Sequence, residues 1–193
     1  FTSTGGFIRK WGNSGTVPGL FQFPKGICAD SQGNIYVSDT DNHRIQKFNG
    51  NGELLLTFGT SGGADGQFYY PMGIESDSGN YIYVSDKNNN RIQKFTSSGE
   101  FMAKWGELGG ADGQLNFPWD VAVDSDGKIY VADTGNSRVQ IFDPYGSYRT
   151  KFGAWGGDPF QFFEPRSVAV GSDGRIYVAD TQNHRIQVFS VRQ

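Results

Sequence analysis

A spacing of 47 residues recurs along the whole 193-residue chain without an insertion or a deletion. A run of Tyr-Val, one small residue and Asp ends at Asp39, Asp86, Asp133 and Asp180. Three further residue types keep this spacing: Pro24, Pro71, Pro118 and Pro165; Arg44, Arg91, Arg138 and Arg185; Gln46, Gln93, Gln140 and Gln187. Strict repetition at this period predicts one structural unit built four times.

Each repeat is predicted to form four short β-strands, which in the third copy span residues 119–123, 128–133, 138–142 and 147–153. An Asp/Ser-Gly turn separates the first two strands, and this is typical of a hairpin because glycine accepts positive φ. The Ile-Tyr-Val run of the second strand is apolar at successive positions, which indicates a strand covered on both faces. Four-stranded antiparallel units stacked face to face predict an all-β protein of the β-propeller class.

The repeat resembles the NHL repeat, and residues 174–189 (GRIYVADTQNHRIQVF) are close to that family's consensus. The resemblance covers four units, at about residues 6–52, 53–99, 100–146 and 147–193, so residues 1–193 are expected to form one propeller domain. It implies one blade per repeat and a role as a non-catalytic interaction module. Members of the family commonly have six blades, whereas this chain has four repeats.

The chain begins and ends at different positions within the repeat, and this affects how the propeller could close. Residues 5–12 match the fourth strand of a unit, and residues 185–193 match the third. We therefore expect the N-terminal strand to complete the last blade, with residues 7–12 pairing with residues 185–189 and closing a four-bladed ring. The alternative is a segment of a larger six-bladed propeller, or of a tandem array completed by another copy. The missing initial Met favours a processed product or a piece of a longer protein.

A cluster of Asp, Asn and Arg that suggests catalysis in one copy is present in all four. A catalytic site is needed once per ring, whereas a structural clamp is needed once per blade. We therefore predict a clamp in each blade, with Asn suited to a left-handed turn and Asp opposite Arg across a hairpin. The predicted clamp residues are Asp39, Asn42, Arg44, Asp86, Asn89, Arg91, Asp133, Asn136, Arg138, Asp180, Asn183 and Arg185. The repeated glutamines are predicted to hydrogen-bond from blade to blade, because buried amides need partners.

Residues that differ between copies are the candidates for specificity, because loops on a rigid scaffold are where propellers bind. Aromatic residues, Met and Arg on one face have the composition of an interaction hot spot. The candidate binding residues on the loop face are Lys25, Tyr69, Met72, Asn116, Trp119, Phe163, Arg166, His43 and His184. The predicted function is a scaffold that binds a protein, a peptide or a glycan, or other copies of itself in an array or filament.

Two alternative functions fit the sequence less well. Lys25 and Arg166 beside Trp119 would suit single-stranded RNA, but a net charge of −3 and a pI of about 5.3 make nucleic acid a poor partner for the whole chain. A metal-dependent lyase or lactonase-like enzyme is the other alternative. Two histidines in separate repeats make a weak metal site, so no catalytic residue, metal or cofactor is predicted.

The one cysteine, Cys28, excludes an intrachain disulfide. No run of about 18 apolar residues is present, so no membrane-spanning segment is predicted. The compartment stays open, because extracellular and cytoplasmic locations both fit this composition.

Overall fold

The computed structural model describes residues 5–190, and these residues form four antiparallel sheets, each of which is one blade. Blade 1 consists of β1 (Pro24–Ala29), β2 (Ile35–Asp39), β3 (Arg44–Phe48) and β4 (Leu54–Phe58). Blade 2 consists of β5 (Pro71–Ser76), β6 (Ile82–Asp86), β7 (Arg91–Phe95) and β8 (Phe101–Trp105). Blade 3 consists of β9 (Pro118–Val123), β10 (Ile129–Asp133), β11 (Arg138–Phe142) and β12 (Tyr148–Phe152). Blade 4 consists of β13 (Pro165–Val170), β14 (Arg175–Asp180) and β15 (Arg185–Ser190). The predicted all-β propeller of four repeated blades is confirmed.

The second and third strands of every blade are joined by a single turn of 3-10 helix. These turns are Thr40–Asn42, Lys87–Asn89, Thr134–Asn136 and Thr181–Asn183. In blade 1 the pairing places Asp39 opposite Arg44 and Val37 opposite Gln46. The polar side chains that recur in the sequence therefore meet at one end of the hairpin.

Neighbouring blades pack through their first strands, so β1 lies against β5, β5 against β9, and β9 against β13. Glycine permits the close approach at two of these contacts. A Cβ on Gly26 would lie 2.3 Å from the Met72 carbonyl oxygen, and one on Gly73 would lie 2.2 Å from Asp120 Oδ1. A larger residue at either position would push the two blades apart.

The hydrophobic core is divided into three clusters, one between each pair of adjacent blades. The cluster between blades 1 and 2 contains Tyr36, Ile45, Phe68, Ile74, Ile82, Val84 and Phe95. Corresponding residues fill the interfaces between blades 2 and 3 and between blades 3 and 4. Burial of each large apolar side chain contributes about 1.5–3 kcal/mol to folding, so each blade depends on its neighbours.

The prediction that the N-terminal strand completes the last blade is wrong for this chain. Within the described residues, blade 4 has three strands, and residues 5–13 form no strand. Trp11 instead packs on blade 1, with its ring centroid 6.0 Å from that of Phe48. Among the described residues, no packing comparable to the other blade contacts joins β13 to β1. Ile27 of blade 1 and Ile186 of blade 4 are 66% and 63% exposed, so residues 5–190 form an open arc of four blades.

Candidate functional site on the loop face

Each blade contains one buried cluster of the predicted clamp residues. In blade 3, Asp133 Oδ2 accepts hydrogen bonds from Arg138 Nε at 2.6 Å and from Asn136 Nδ2 at 2.9 Å. The Gln140 amide adds a third bond at 3.1 Å, and Asp133 Oδ1 accepts from the Asn116 N–H at 2.7 Å. The same bonds recur around Asp39, Asp86 and Asp180. The structure therefore brings each Asp, Asn and Arg of the predicted clamp together.

The clamp fixes the loop that enters each blade. The two terminal nitrogens of Arg138 donate to the carbonyl oxygens of Gly110, Ala111 and Gln114 at 2.8–2.9 Å. Gln140 Nε2 also donates to the Gln114 carbonyl, at 2.6 Å. Gln114 lies in the loop that joins β8 of blade 2 to β9 of blade 3, so the glutamine links the blades through this loop and not through a neighbouring strand. A buried guanidinium with carboxylate and carbonyl partners makes this loop a firm platform.

Two positions in every repeat take left-handed backbone angles without glycine. The first is the residue after the clamp Asn: His43, Asn90, Ser137 and His184, with φ between 53° and 56°. The left-handed conformation expected at Asn42 thus falls one residue later. The second position directly precedes the proline: Phe23, Tyr70, Phe117 and Glu164, with φ between 47° and 58°. Aromatic residues held in this conformation carry strain, and strained residues cluster at ligand sites.

His43 connects blade 1 to blade 2. Its Nδ1 accepts a hydrogen bond from the Tyr70 N–H at 3.1 Å. Its ring stacks on Tyr69 at 5.4 Å and meets the edge of Tyr70 at 4.8 Å. Asn90 does the same between blades 2 and 3, because its Oδ1 accepts from the Phe117 N–H at 2.9 Å. His43 and Asn90 therefore position the loop that enters the next blade.

The loop face of blades 2 to 4 carries a cluster centred on Trp119. Lys87 Nζ lies 4.5 Å from the Trp119 ring centroid, and the Arg166 guanidinium carbon lies 4.5 Å from the same centroid. Lys87 also lies 5.7 Å from the Phe117 ring. We call Lys87, Phe117, Trp119 and Arg166 the Trp119 cluster. Together with Thr134, Gly135 and Glu164 they line a pocket of about 230 Å³.

The electrostatics of the Trp119 cluster favour an anion. Burial lowers the pKa of the Lys87 ammonium, and the positive charge of Arg166 lowers it further. Arg166 Nη2 donates to Glu164 Oε2 at 2.6 Å, whereas the buried Arg166 Nε has no hydrogen-bond partner in the described structure. That bond and a second from Gln182 hold the pKa of Glu164 below its ordinary value. Two cations therefore converge on one ring, with the Glu164 carboxylate bound to one of them.

Lys87 was not among the residues predicted from the sequence. Its equivalents are Thr40, Thr134 and Thr181, so the departure from threonine in one copy was the available signal. The prediction placed Lys25 beside Trp119, but Lys25 lies in blade 1 and lines a different pocket. The cation that faces Trp119 together with Arg166 is Lys87.

The other predicted binding residues lie in several places. Tyr69 and Phe163 are exposed, Asn116 is half-buried, and His184 is exposed on blade 4. Met72 is buried with 4% of its surface exposed, so it departs from the expected loop-face position. It lies in β5, and its carbonyl oxygen faces Gly26 of blade 1. Met72 is thus a contact between blades.

The described residues contain no group of three or more His, Cys, Asp or Glu side chains that could hold a metal ion. Burial raises the pKa of the Cys28 thiol, and the Glu75 and Asp30 charges add to this shift, so the reactive thiolate is disfavoured. Within residues 5–190, no helix is long and apolar enough to cross a membrane.

Four radially repeated antiparallel sheets with a clamp in each define the class: the chain is a β-propeller protein. A family model described as "NHL repeat" matches residues 21–48, 68–95, 115–142 and 162–189. The chain belongs to the NHL-repeat family.

Curated relatives share short segments with the chain. Human "E3 ubiquitin-protein ligase TRIM32" is 42% identical over 48 residues, which are 25% of this chain and 7% of that protein. "B-box type zinc finger protein ncl-1" of Caenorhabditis elegans is 46% identical over 43 residues, 22% of this chain and 5% of that protein. The chain thus matches only a small part of each relative.

Solved structures show the same fold at low identity. A streptogramin B lyase superposes with a TM-score of 0.63 and 18% identity, over 88% of this chain and 55% of that chain. A protein of unknown function from Bacteroides thetaiotaomicron superposes with a TM-score of 0.74 and 19% identity, over 88% of this chain and 47% of that chain. The chain corresponds to about half of the length of each of these two chains.

Proposed function

We propose that this propeller is a non-catalytic binding module whose Trp119 cluster binds an acidic segment of a protein partner. The observation that carries the proposal is the placement of Lys87 and Arg166 over Trp119, each at 4.5 Å. An aromatic surface between two cations offers apolar contact and charge together, and Trp and Arg are the residues most enriched in binding hot spots.

A carboxylate suits this cluster better than a neutral ligand. It would offset the burial and the Arg166 charge that lower the pKa of Lys87, and it would add a second carboxylate to the guanidinium that Glu164 already contacts. Bonds between a guanidinium and a carboxylate are about twice as strong as neutral ones. A peptide carboxylate beside an apolar side chain would use both the cations and the ring.

The family membership supports a binding role, which is what the resemblance to NHL repeats implies. The ligase named among the relatives shares only one repeat-sized segment with this chain. The lyase named among the structures is 18% identical, so it supports the fold and not the reaction.

The proposal is tested with an array of synthetic peptides that contain Asp or Glu beside an aromatic residue. A matched array replaces every Asp and Glu with Asn and Gln. We expect binding to the acidic array and at least a tenfold weaker affinity for Trp119→Ala/Arg166→Ala. Trp155→Ala is the control, because Trp155 is 73% exposed and lies outside the cluster. Equal affinity of the double variant and the unmodified chain would show that another face binds.

RNA is the alternative outcome, because bases also stack on Trp beside Arg. Oligouridine is titrated at low and high salt in parallel with the peptides. Tighter binding to oligouridine than to any acidic peptide, with a steep salt dependence, would replace the proposal. Metal analysis of the purified protein checks the enzyme alternative.

A further inference from the structure

The two ends of the arc expose surfaces that are buried everywhere else in the molecule. On blade 4, Ile186 and Val188 are 63% and 54% exposed, whereas the equivalent Val139 and Ile141 of blade 3 are 0% and 3% exposed. We call Ala169, Tyr177, Ala179, Ile186 and Val188 the forward face of blade 4.

Blade 1, at the opposite end of the arc, also exposes an apolar residue that is buried in another blade. Ile27 is 66% exposed in blade 1, whereas the equivalent Ile74 is 4% exposed. We call Trp11, Phe21, Pro24, Ile27 and Val37 the rear face of blade 1; they line a pocket of about 370 Å³. In the three interfaces within the chain, a forward face always packs on the rear face of the next blade.

A hydrogen bond that joins neighbouring blades inside the chain has an equivalent donor on blade 4 and an equivalent acceptor on blade 1. Thr134 Oγ1 donates to the Pro165 carbonyl of the next blade at 2.6 Å, and Thr40 Oγ1 donates to the Pro71 carbonyl at 2.7 Å. Thr181 is the equivalent residue of blade 4, and among residues 5–190 its Oγ1 donates to the Ala179 carbonyl alone, at 3.4 Å. The repeat spacing makes the Pro24 carbonyl the acceptor that Thr181 lacks.

Residues near the N-terminus already occupy the place of a preceding blade's fourth strand. Trp11 packs on Phe48 at 6.0 Å, as Trp105 of β8 packs on Phe142 of blade 3 at 6.2 Å. Within residues 5–190, blade 4 has no fourth strand beside β15. By the pairing of Val139 with Phe152 in blade 3, Ile186 would pair with Trp11.

We propose that the forward face of blade 4 binds the rear face of blade 1 of a second copy of this chain, head to tail. Two copies would join at two such interfaces and close one ring of eight blades, because a head-to-tail contact closes when its rotation permits. The chain superposes on 55% and 47% of two longer chains, so two copies together are about as long as either of them. This inference does not depend on the proposed peptide site.

Sedimentation over a range of concentrations tests the contact, with a dimer of twice 21.2 kDa as the expected species. Ile186→Asp and Ile27→Asp each place a charge on one face at an exposed position, so both variants should fold. Each alone should weaken association by at least 100-fold. Tyr145→Asp is the control, because Tyr145 is 89% exposed in an outer turn and should leave association unchanged.

Mixing the two variants gives the decisive result. Ile186→Asp keeps an intact rear face and Ile27→Asp keeps an intact forward face, so a 1:1 mixture should form a heterodimer through one interface. A contact that used one face twice would not be rescued in this way. A monomer at every concentration, or no heterodimer in the mixture, would overturn the proposal.

Thr181→Val supplies a second readout. It should weaken association by about fivefold, the effect of one hydrogen bond, while the stability of the isolated chain stays unchanged. Thr134→Val removes the equivalent bond inside the chain and should lower the stability of the chain itself. Equal association of Thr181→Val and the unmodified chain would contradict the predicted pairing with Pro24.

Discussion

At the scale of single residues, one clamp occurs in four environments, and its burial differs between them. The Arg138 side chain of blade 3 is 6% exposed, whereas that of Arg185 in blade 4 is 30% exposed. Burial is the largest influence on the pKa of Asp86 in blade 2 and raises it, although Tyr69, Asn89 and Arg91 oppose the shift. In blade 4, burial acts in the same direction on Asp180. There four hydrogen bonds outweigh burial and lower the pKa of Asp180. Their donors are Phe163, Asn183, Arg185 and Gln187.

Asp133→Asn should therefore be more damaging than Asp180→Asn. Removal of one charge from a buried pair leaves the other uncompensated and costs about 3–5 kcal/mol. Water can reach Arg185, so we expect a loss of about 1–3 kcal/mol for Asp180→Asn. Urea unfolding of both variants measures the difference in the free energy of unfolding. Equal losses would mean that the exposure of the arginine does not govern the strength of the clamp.

Phe117 offers a test that separates binding from stability. A left-handed backbone costs a residue with a Cβ about 1–2 kcal/mol, and Asn tolerates this conformation better than Phe. Phe117→Asn should keep or raise the free energy of unfolding by up to about 1 kcal/mol, while affinity for the acidic peptides falls.

Phe23→Asn is the matched control for Phe117→Asn. Phe23 has the same φ of 47° and lies in blade 1, away from the Trp119 cluster. It should show the same effect on unfolding and none on peptide binding. A large loss of stability in Phe117→Asn alone would assign its ring a packing role instead.

At the scale of elements, the first strands of the blades carry acidic groups close together. Burial raises the pKa of Glu75 in β5, and the Asp120 charge in β9 adds to this, while a hydrogen bond from the Ser76 N–H opposes it. Burial also raises the pKa of Asp120, against hydrogen bonds from Ser167 and Val168. The folded chain therefore holds these protons more tightly than the unfolded chain does.

Glu75→Gln should consequently stabilise the chain at neutral pH. Between the ordinary Glu pKa of 4.5 and the raised folded value, the native state binds more protons than the unfolded state, so stability falls as pH rises through this window. The free energy of unfolding of Glu75→Gln should not show this fall with rising pH. Below pH 4 it should be close to that of the unmodified chain. Urea unfolding from pH 4 to 8 measures both curves. Parallel curves would show that Glu75 titrates alike in both states.

The strands could be predicted from the sequence because each is a short apolar run bounded by turn residues. β11 was expected at residues 138–142 and lies at Arg138–Phe142. The pairing of residues 7–12 could not be predicted, because it depends on the rotation between blades, which no local pattern encodes. The Trp119 cluster could be predicted in part. Trp119 and Arg166 stand out because they differ from their equivalents in the other copies. Lys87 lies in the turn between two clamp residues, and the clamp pattern already gives this turn a structural role.

At the scale of the whole molecule, the stability of the arc is a sum of blades and of the contacts between neighbours. Such repeat arrays behave as one-dimensional chains in which each unit is stabilised by the next. In the part of the chain that the structure describes, blades 2 and 3 have neighbours on both faces, whereas blades 1 and 4 each have one. Blade 4 also lacks a fourth strand beside β15 in the described structure.

Amide hydrogen exchange should therefore show a gradient along the arc. Amides of β6, β7, β10 and β11 should exchange with the free energy of global unfolding, while those of β15 should open more readily, through local fraying. A dilute sample of the Ile186→Asp variant measures the isolated arc. A concentrated sample of the unmodified chain, in which the end faces would be covered by a second copy, should protect β15 while β10 and β11 stay unchanged. Uniform exchange in all four blades would mean that the arc unfolds as one cooperative unit and that its ends are not weak points.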